Sequence, residues 1–161
     1  MNEKTRQRIL QHEQQVLLVK KGLPPCIRTR EFRQAIDLDP ASAKAYRNLG
    51  DSLLSQGSSA DGISALRRAV ALDPNDAEIR YDFASALLET GNPAEAIPEF
   101  RETLRLAPTL ADAHNNLGIA LGSSGKLDDA IEEFRRALAI HPGFADAEHN
   151  LTMALAARKR D

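Results

Sequence analysis

Residues Ala111–Phe144 read ADAHNNLGIALGSSGKLDDAIEEFRRALAIHPGF, and this stretch decides the fold. Leu117 and Leu121 lie four residues apart, as do Ala130 and Phe134. That is the helical period. Ser124-Gly125 interrupts it, and a glycine there accepts the left-handed conformation that ends a helix. Asp128-Asp129 then place negative charge where the dipole of a new helix favours it. Pro142 lacks an amide donor and ends the second helix. The stretch is a helical hairpin.

The hairpin recurs. Prolines fall at Pro40, Pro74, Pro108 and Pro142, each 34 residues after the last. Before them run Phe32-Arg-Gln-Ala-Ile-Asp-Leu, Leu66-Arg-Arg-Ala-Val-Ala-Leu, Phe100-Arg-Glu-Thr-Leu-Arg-Leu and Phe134-Arg-Arg-Ala-Leu-Ala-Ile. After them, in phase, come Leu49-Gly50, Phe83-Ala84, Leu117-Gly118 and Leu151-Thr152, then Leu53, Leu87, Leu121 and Leu155. Gln56-Gly57 and Thr90-Gly91 repeat the break, and Asn92-Pro93 reads as an N-cap and first helical residue. Gly50, Gly62, Ala84, Ala96, Gly118 and Ala130 are small, so paired helices can approach closely. Such a unit cannot bury its apolar face alone, and stacking makes the core.

These slots resemble the tetratricopeptide repeat family, whose units carry a large residue, Leu-Gly, a second large residue, Ala, Phe and Pro. The best match is Ala111–Phe144, with His114 where Trp is usual; Gly62 replaces an Ala, and Arg80 fills a large-aromatic slot held by Tyr46 one unit earlier. The resemblance implies an all-α, right-handed solenoid of stacked antiparallel helix pairs. It divides the chain into a degenerate N-terminal pair (1–42), three complete units (43–144) and a capping helix with a short basic tail (145–161). The degenerate pair has a helix over 3–21, with Ile9, Leu10 and Val16–Val19 as apolar content, then a break at Gly22 and Pro24-Pro25 and a helix over 26–38. At the other end, residues 144–158 form a lone first helix. Leu151 and Leu155 face the last pair there, and Glu148, His149, Arg158 and Lys159 keep the outer side wet. Pro98, about one turn inside a helix, calls for a local adjustment.

Composition agrees with one soluble array. The 161 residues are 42% hydrophobic and 27% charged; with no Trp, five Phe and two Tyr, the core is built from Leu, Ile and Ala. A net charge of −2 argues against nucleic acid as a partner. The clusters Arg28–Arg30–Arg33 and Arg158–Lys159–Arg160 read as solvated faces or a chain end. Cys26 is alone, which excludes an internal disulfide and a Cys-based zinc site, and it reads as a small buried hydrophobe. Neither a signal-peptide core nor an apolar run of ~20 residues is present, so the expected location is cytoplasmic, away from the membrane.

No catalytic constellation emerges. His12, His114, His141 and His149 do not form a His-Glu-x-x-His pattern; His114 reads as packing in its aromatic slot and His141 as lying at a helix end. Asp128-Asp129 and Glu132-Glu133 read as solvated helix surface, Gly122–Gly125 as a helix-ending turn, and Asn150-Leu-Thr152 as an acceptor triplet inside a helix. The chain is expected to be no enzyme and to need no cofactor or metal.

In the resembled family the first helix of each pair lines a concave groove. The resemblance therefore implies a partner-binding groove of Lys44, Arg47, Asn48, Asp51 and Leu54; Glu78, Tyr81, Asp82, Ser85 and Leu88; Asp112, Asn115, Asn116 and Ile119; and Asp146, His149, Asn150 and Met153. Lys44 and Arg47 stand against five carboxylates, which predicts a net acidic groove and a protein or peptide partner with a basic segment. Asn48, Asn116 and Asn150 are in phase, with Asp82 in the intervening slot. This is similar to the asparagine ladder in the repeats of O-linked N-acetylglucosamine transferase, where amides grip the backbone of an extended peptide. The clamp for acidic chaperone tails needs Lys and Arg where Asp112 and Asn116 stand; only Arg47 keeps a basic match, so weak or no binding of such tails is expected. The function implied is a peptide-holding scaffold, expected to be monomeric. The alternative is a structural or oligomerisation module, or the repeat segment of a larger protein, with contacts made through the end helices.

Overall fold

A computed structural model describes residues 25–159, without the side chains of Pro25 and Cys26. The expected helix over 3–21, its break at Gly22 and Pro24, His12, the burial of Cys26, and Arg160 lie outside the described residues. The described residues form eight helices and no strand: α1 Pro25–Leu38, α2 Ala43–Leu54, α3 Ser59–Leu72, α4 Ala77–Glu89, α5 Pro93–Leu106, α6 Ala111–Ser123, α7 Leu127–Ile140 and α8 Ala145–Arg158. They fall into two compact units that divide between Pro74 and Asn75. Within each unit consecutive helices pack on one another as antiparallel neighbours, and in the second unit α6 also touches α4 and α8.

In the first unit Phe32, Leu49, Leu53 and Ala65 form a core, with Ile36 packed against it. Helices α2 and α3 meet at two glycines. A Cβ on Gly50 would lie 3.1 Å from the Gly62 carbonyl oxygen, and one on Gly62 would lie 3.1 Å from that of Gly50. Gly62, where the family usually has Ala, thus brings the two backbones together. A polar knot lies beside the core: the Thr29 and Ser52 hydroxyls are 2.9 Å apart, and the Gln56 amide donates to Thr29 Oγ1 and the Ser52 carbonyl. Thr29 and Ser52 are buried, and this mutual bonding is what makes their burial tolerable. The periodic pattern carries no signal for it.

The second unit buries Ile79, Phe83, Leu87, Ile97, Phe100, Leu117, Leu121, Ile131 and Phe134 around fully buried Ala84, Ala96 and Ala130. A Cβ on Gly118 would come within 2.5 Å of Phe134 Cε1, so the ring lies where a side chain would otherwise stand. The turn glycines behave as read: Gly57, Gly91 and Gly125 have φ of 79°, 81° and 77°. Gly143 joins them at 86°, and among the described residues no non-glycine residue has positive φ.

Local details depart from the sequence reading. Asn92 occupies the N-cap position of α5, but its amide turns back to the Thr90 carbonyl and hydroxyl. Side-chain caps come instead from Ser42, which accepts from the Ala45 amide, and Asp76, which accepts from Glu78 and Ile79. Helix α5 runs on through Pro98, which sits exposed in its second turn. Helix α8 buries only Ala147 and Ala154; Leu151 and Leu155 stay half-buried, whereas the in-phase Leu117 and Leu121 are buried. Helix α8 packs on α6 and α7, and among the described residues no helix follows it, so its two leucines keep part of their surface open.

Candidate functional site

The predicted groove residues sit on the first helix of each pair, α2, α4, α6 and α8. On α4, Glu78, Tyr81, Asp82, Ser85 and Leu88 recur every three or four residues and so share one stripe. In the first unit, Lys44 is exposed and Arg47, Asn48, Asp51 and Leu54 are half-buried. In the second, Glu78, Asp112, Asp146, His149 and Met153 are exposed, while Tyr81, Asp82, Ser85, Leu88, Asn116, Ile119 and Asn150 are half-buried. Asn115 is different, at 5% exposure.

A chain of hydrogen bonds links these side chains across the second unit. Asn150 Nδ2 on α8 donates to Asn115 Oδ1 on α6 at 2.9 Å. Asn115 Nδ2 donates to Asn116 Oδ1 at 3.3 Å, and Asn116 Nδ2 donates to the Tyr81 hydroxyl on α4 at 3.0 Å. The Tyr81 ring meets Phe100 edge-on, with centroids 6.1 Å apart. Burial pushes the Tyr81 phenol above its ordinary value of 10.0, with Asp112 and Asp82 adding to the effect. Asn115, read from the sequence as a groove contact, is therefore a buried link that orients Asn116 and Asn150. The in-phase Asn116 and Asn150 are thus joined through Asn115, and Asn150 enters the run through its Nδ2 alone.

The slot for the large residue carries ion pairs that sequence reading missed. Arg80 Nη1 meets Glu99 Oε2 at 2.5 Å. One unit later His114 Nδ1 meets Glu133 Oε2 at 2.6 Å, and its Nε2 lies 3.1 Å from the Pro108 carbonyl oxygen. Both His114 neighbours are hydrogen-bond acceptors, so the ring is held at both nitrogens. Glu133 corrects the reading of Glu132-Glu133 as a solvated pair. Glu132 is solvated, but the Glu133 side chain is only 12% exposed. The signal was available, since Arg80 and Glu99 each lie 34 residues before His114 and Glu133. His141 does end its helix, α7, and stacks on Phe144 at 5.5 Å.

Among the described residues, no group of three or more His, Cys, Asp or Glu could hold a metal ion. No described helix is long and apolar enough to cross a membrane.

Comparison with known proteins adds the family. The tetratricopeptide repeat family matches residues 30–77 and 81–145, well over half of the chain. No curated protein matched the chain. Among solved structures, the chain is similar to MamA, with a TM-score of 0.78 and 28% identity over 82% of this chain and 77% of that one. It shares its fold with YrrB, a TPR protein with an unusual peptide-binding site (TM-score 0.79, 21% identity, 89% of this chain and 74% of that one). It also shares it with the first TPR of Spaghetti (RPAP3), there bound to the HSP90 peptide SRMEEVD (TM-score 0.71, 21% identity, 75% of this chain and 96% of that one). Repeat period, helix pairing and family match agree: the chain belongs to the tetratricopeptide repeat family.

Proposed function

We propose that this chain is a protein-interaction scaffold that holds an extended, Lys- or Arg-bearing segment of a partner on the first-helix face of α4, α6 and α8, in the cytoplasm and as a monomer. The observation that carries the reading is the hydrogen-bonded run Asn150–Asn115–Asn116–Tyr81. It fixes amides in a row, so little side-chain entropy is lost when a peptide backbone binds them. The slots beside it hold Glu78, Asp82, Asp112 and Asp146 and no Lys or Arg, which favours a basic segment. In the first unit, the in-phase slots Lys44, Arg47, Asn48 and Asp51 on α2 are proposed as partner contacts in their own right. The likeness to the asparagine ladder of O-linked N-acetylglucosamine transferase supports the amide-gripping mode. Acidic chaperone tails are expected to bind this face weakly or not at all.

The test is a comparative pull-down with wild type, Asp112→Asn/Asp146→Asn and Asn116→Ala/Asn150→Ala, each checked for unchanged helicity. The aspartates are exposed, so the first variant removes charge without touching the core. A partner recovered by wild type and lost by both variants supports the proposal. Equal recovery by all three moves the site elsewhere.

The exposure of Met153 (59%), with Leu151 and Leu155 half-buried, favours a second reading in which α8 mediates self-association. Sedimentation would then show a dimer that Leu151→Ser/Leu155→Ser abolishes while helicity persists; a monomer across the whole concentration range sinks that reading.

A further inference from the structure

The second unit also carries a recess of about 490 Å³ between α5, α6 and α7, built from residues the proposed groove does not use. Leu104 and Pro108 give it apolar surface, and Arg101, Arg105 and Arg136 give it charge. Arg101 and Arg105 are one turn apart on α5 and therefore share a face, where like charges repel. Arg136 comes across from α7. The Arg105 and Arg136 guanidinium groups are steadied by Glu102 and Glu133, both at 2.8 Å, yet are 60% and 61% exposed. Each uses only part of its five-donor fork on those carboxylates. Arg101 is exposed and has no ion pair among the described residues. Glu133, the carboxylate that lines the recess, is already held by both Arg136 and His114. The recess therefore has a surplus of positive charge beside apolar surface.

We propose that this recess is a second binding site, for an acidic segment of a protein partner. A carboxylate pairs with Arg101 and Arg105, a second reaches Arg136, and an apolar side chain between them rests on Leu104 and Pro108. Charge complementarity selects this occupant. The same unit's first-helix slots hold Glu78, Asp82, Asp112 and Asp146, which repel an acidic segment and leave it the recess. The inference does not depend on the groove proposal.

The experiment is an amide-resolved NMR titration of the full chain with a blocked hexapeptide of alternating Glu and Leu, up to millimolar concentration. A Lys-for-Glu version and inorganic phosphate serve as separate arms. The expected result is a saturable shift of the Arg101, Leu104, Arg105 and Arg136 amides by the acidic peptide only. Arg101→Glu should weaken binding by at least about tenfold with helicity unchanged, and raising the salt should weaken it further. Arg136→Gln should weaken it as well, without reversing a charge. No saturable shift, shifts confined to α4 or α8, or unaltered affinity in both variants would overturn the proposal. So would phosphate binding as tightly as the peptide, since that is a plain anion site with no use for the apolar surface.

Discussion

Two glycines four residues apart on α6 have opposite roles. Gly118 faces the Phe134 ring so closely that an added methyl would meet three of its carbons at 2.5–2.9 Å. Alanine is the better helix former by about 1 kcal/mol, but overpacking of this kind costs about 1–3 kcal/mol. Gly118→Ala is therefore expected to lower the urea midpoint. A methyl on Gly122 meets only the Ala130 Cβ, at 3.8 Å. Gly122→Ala should raise the midpoint, by up to ~1 kcal/mol of stability. The same sign for both substitutions would contradict this account of the α6–α7 contact. Tyr81 gives a second residue-level prediction. Its folded phenol titrates above 10.0 because burial disfavours the phenolate. Below pH 10 folded and unfolded chains both keep the proton; above it the unfolded chain releases its proton first, so this contribution to stability falls as pH rises through the folded value. The absorbance change lost in Tyr81→Phe should have its midpoint above pH 10, and the variant should lose less stability between pH 10 and that midpoint. At this scale legibility was uneven. The turn glycines announced their left-handed conformation because few residues adopt it easily. Asn92 stands at the N-cap position its sequence signals, yet its side chain bonds Thr90 and no helix amide, a choice the sequence does not disclose.

At the scale of the element, one slot shows how a family pattern is kept while its chemistry changes. Tyr46 holds it on α2, with the Arg68 guanidinium 6.0 Å from the ring centroid. Arg80 holds it on α4, paired with Glu99, and His114 holds it on α6, paired with Glu133. Glu148 holds it on α8, where it is exposed and no second helix follows among the described residues. The departures at Arg80 and His114 were visible as departures; their compensation was not, because periodicity records each helix separately and the partner lies on the next one. Adjacent glutamates test the point. Glu133→Ala leaves His114 Nδ1 without its partner and should cost about 1–3 kcal/mol. Glu132→Ala breaks only an exposed pair with Arg135 and should stay within ~0.5 kcal/mol. Equal midpoint shifts in denaturant melts would contradict the assignment of Glu133 as a structural anchor.

For the molecule as a whole, the 34-residue period made the helix pairs and their packing legible. The hydrophobic core of such a protein is the repeat itself, written several times over. The candidate site was legible only in outline. Slot positions located Asn116 and Asn150 on first helices, but the contacts among them depend on distances between helices that a linear pattern does not contain. Asn115 shows the difference: its polar side chain suggested a surface contact, and it proved to be a buried link. The acidic first-helix slots were legible as a count of charges, but the arginine recess was not, because Arg101 and Arg105 on α5 and Arg136 on α7 come together only in the fold. The central claim is that the amide run on α4, α6 and α8 holds a basic partner segment. Its most direct test is an amide-resolved NMR titration with the segment of whatever partner the pull-down recovers. The account predicts shifts centred on Tyr81, Asn116 and Asn150, lost in Asp112→Asn/Asp146→Asn; shifts centred elsewhere, or unchanged by that variant, would contradict it.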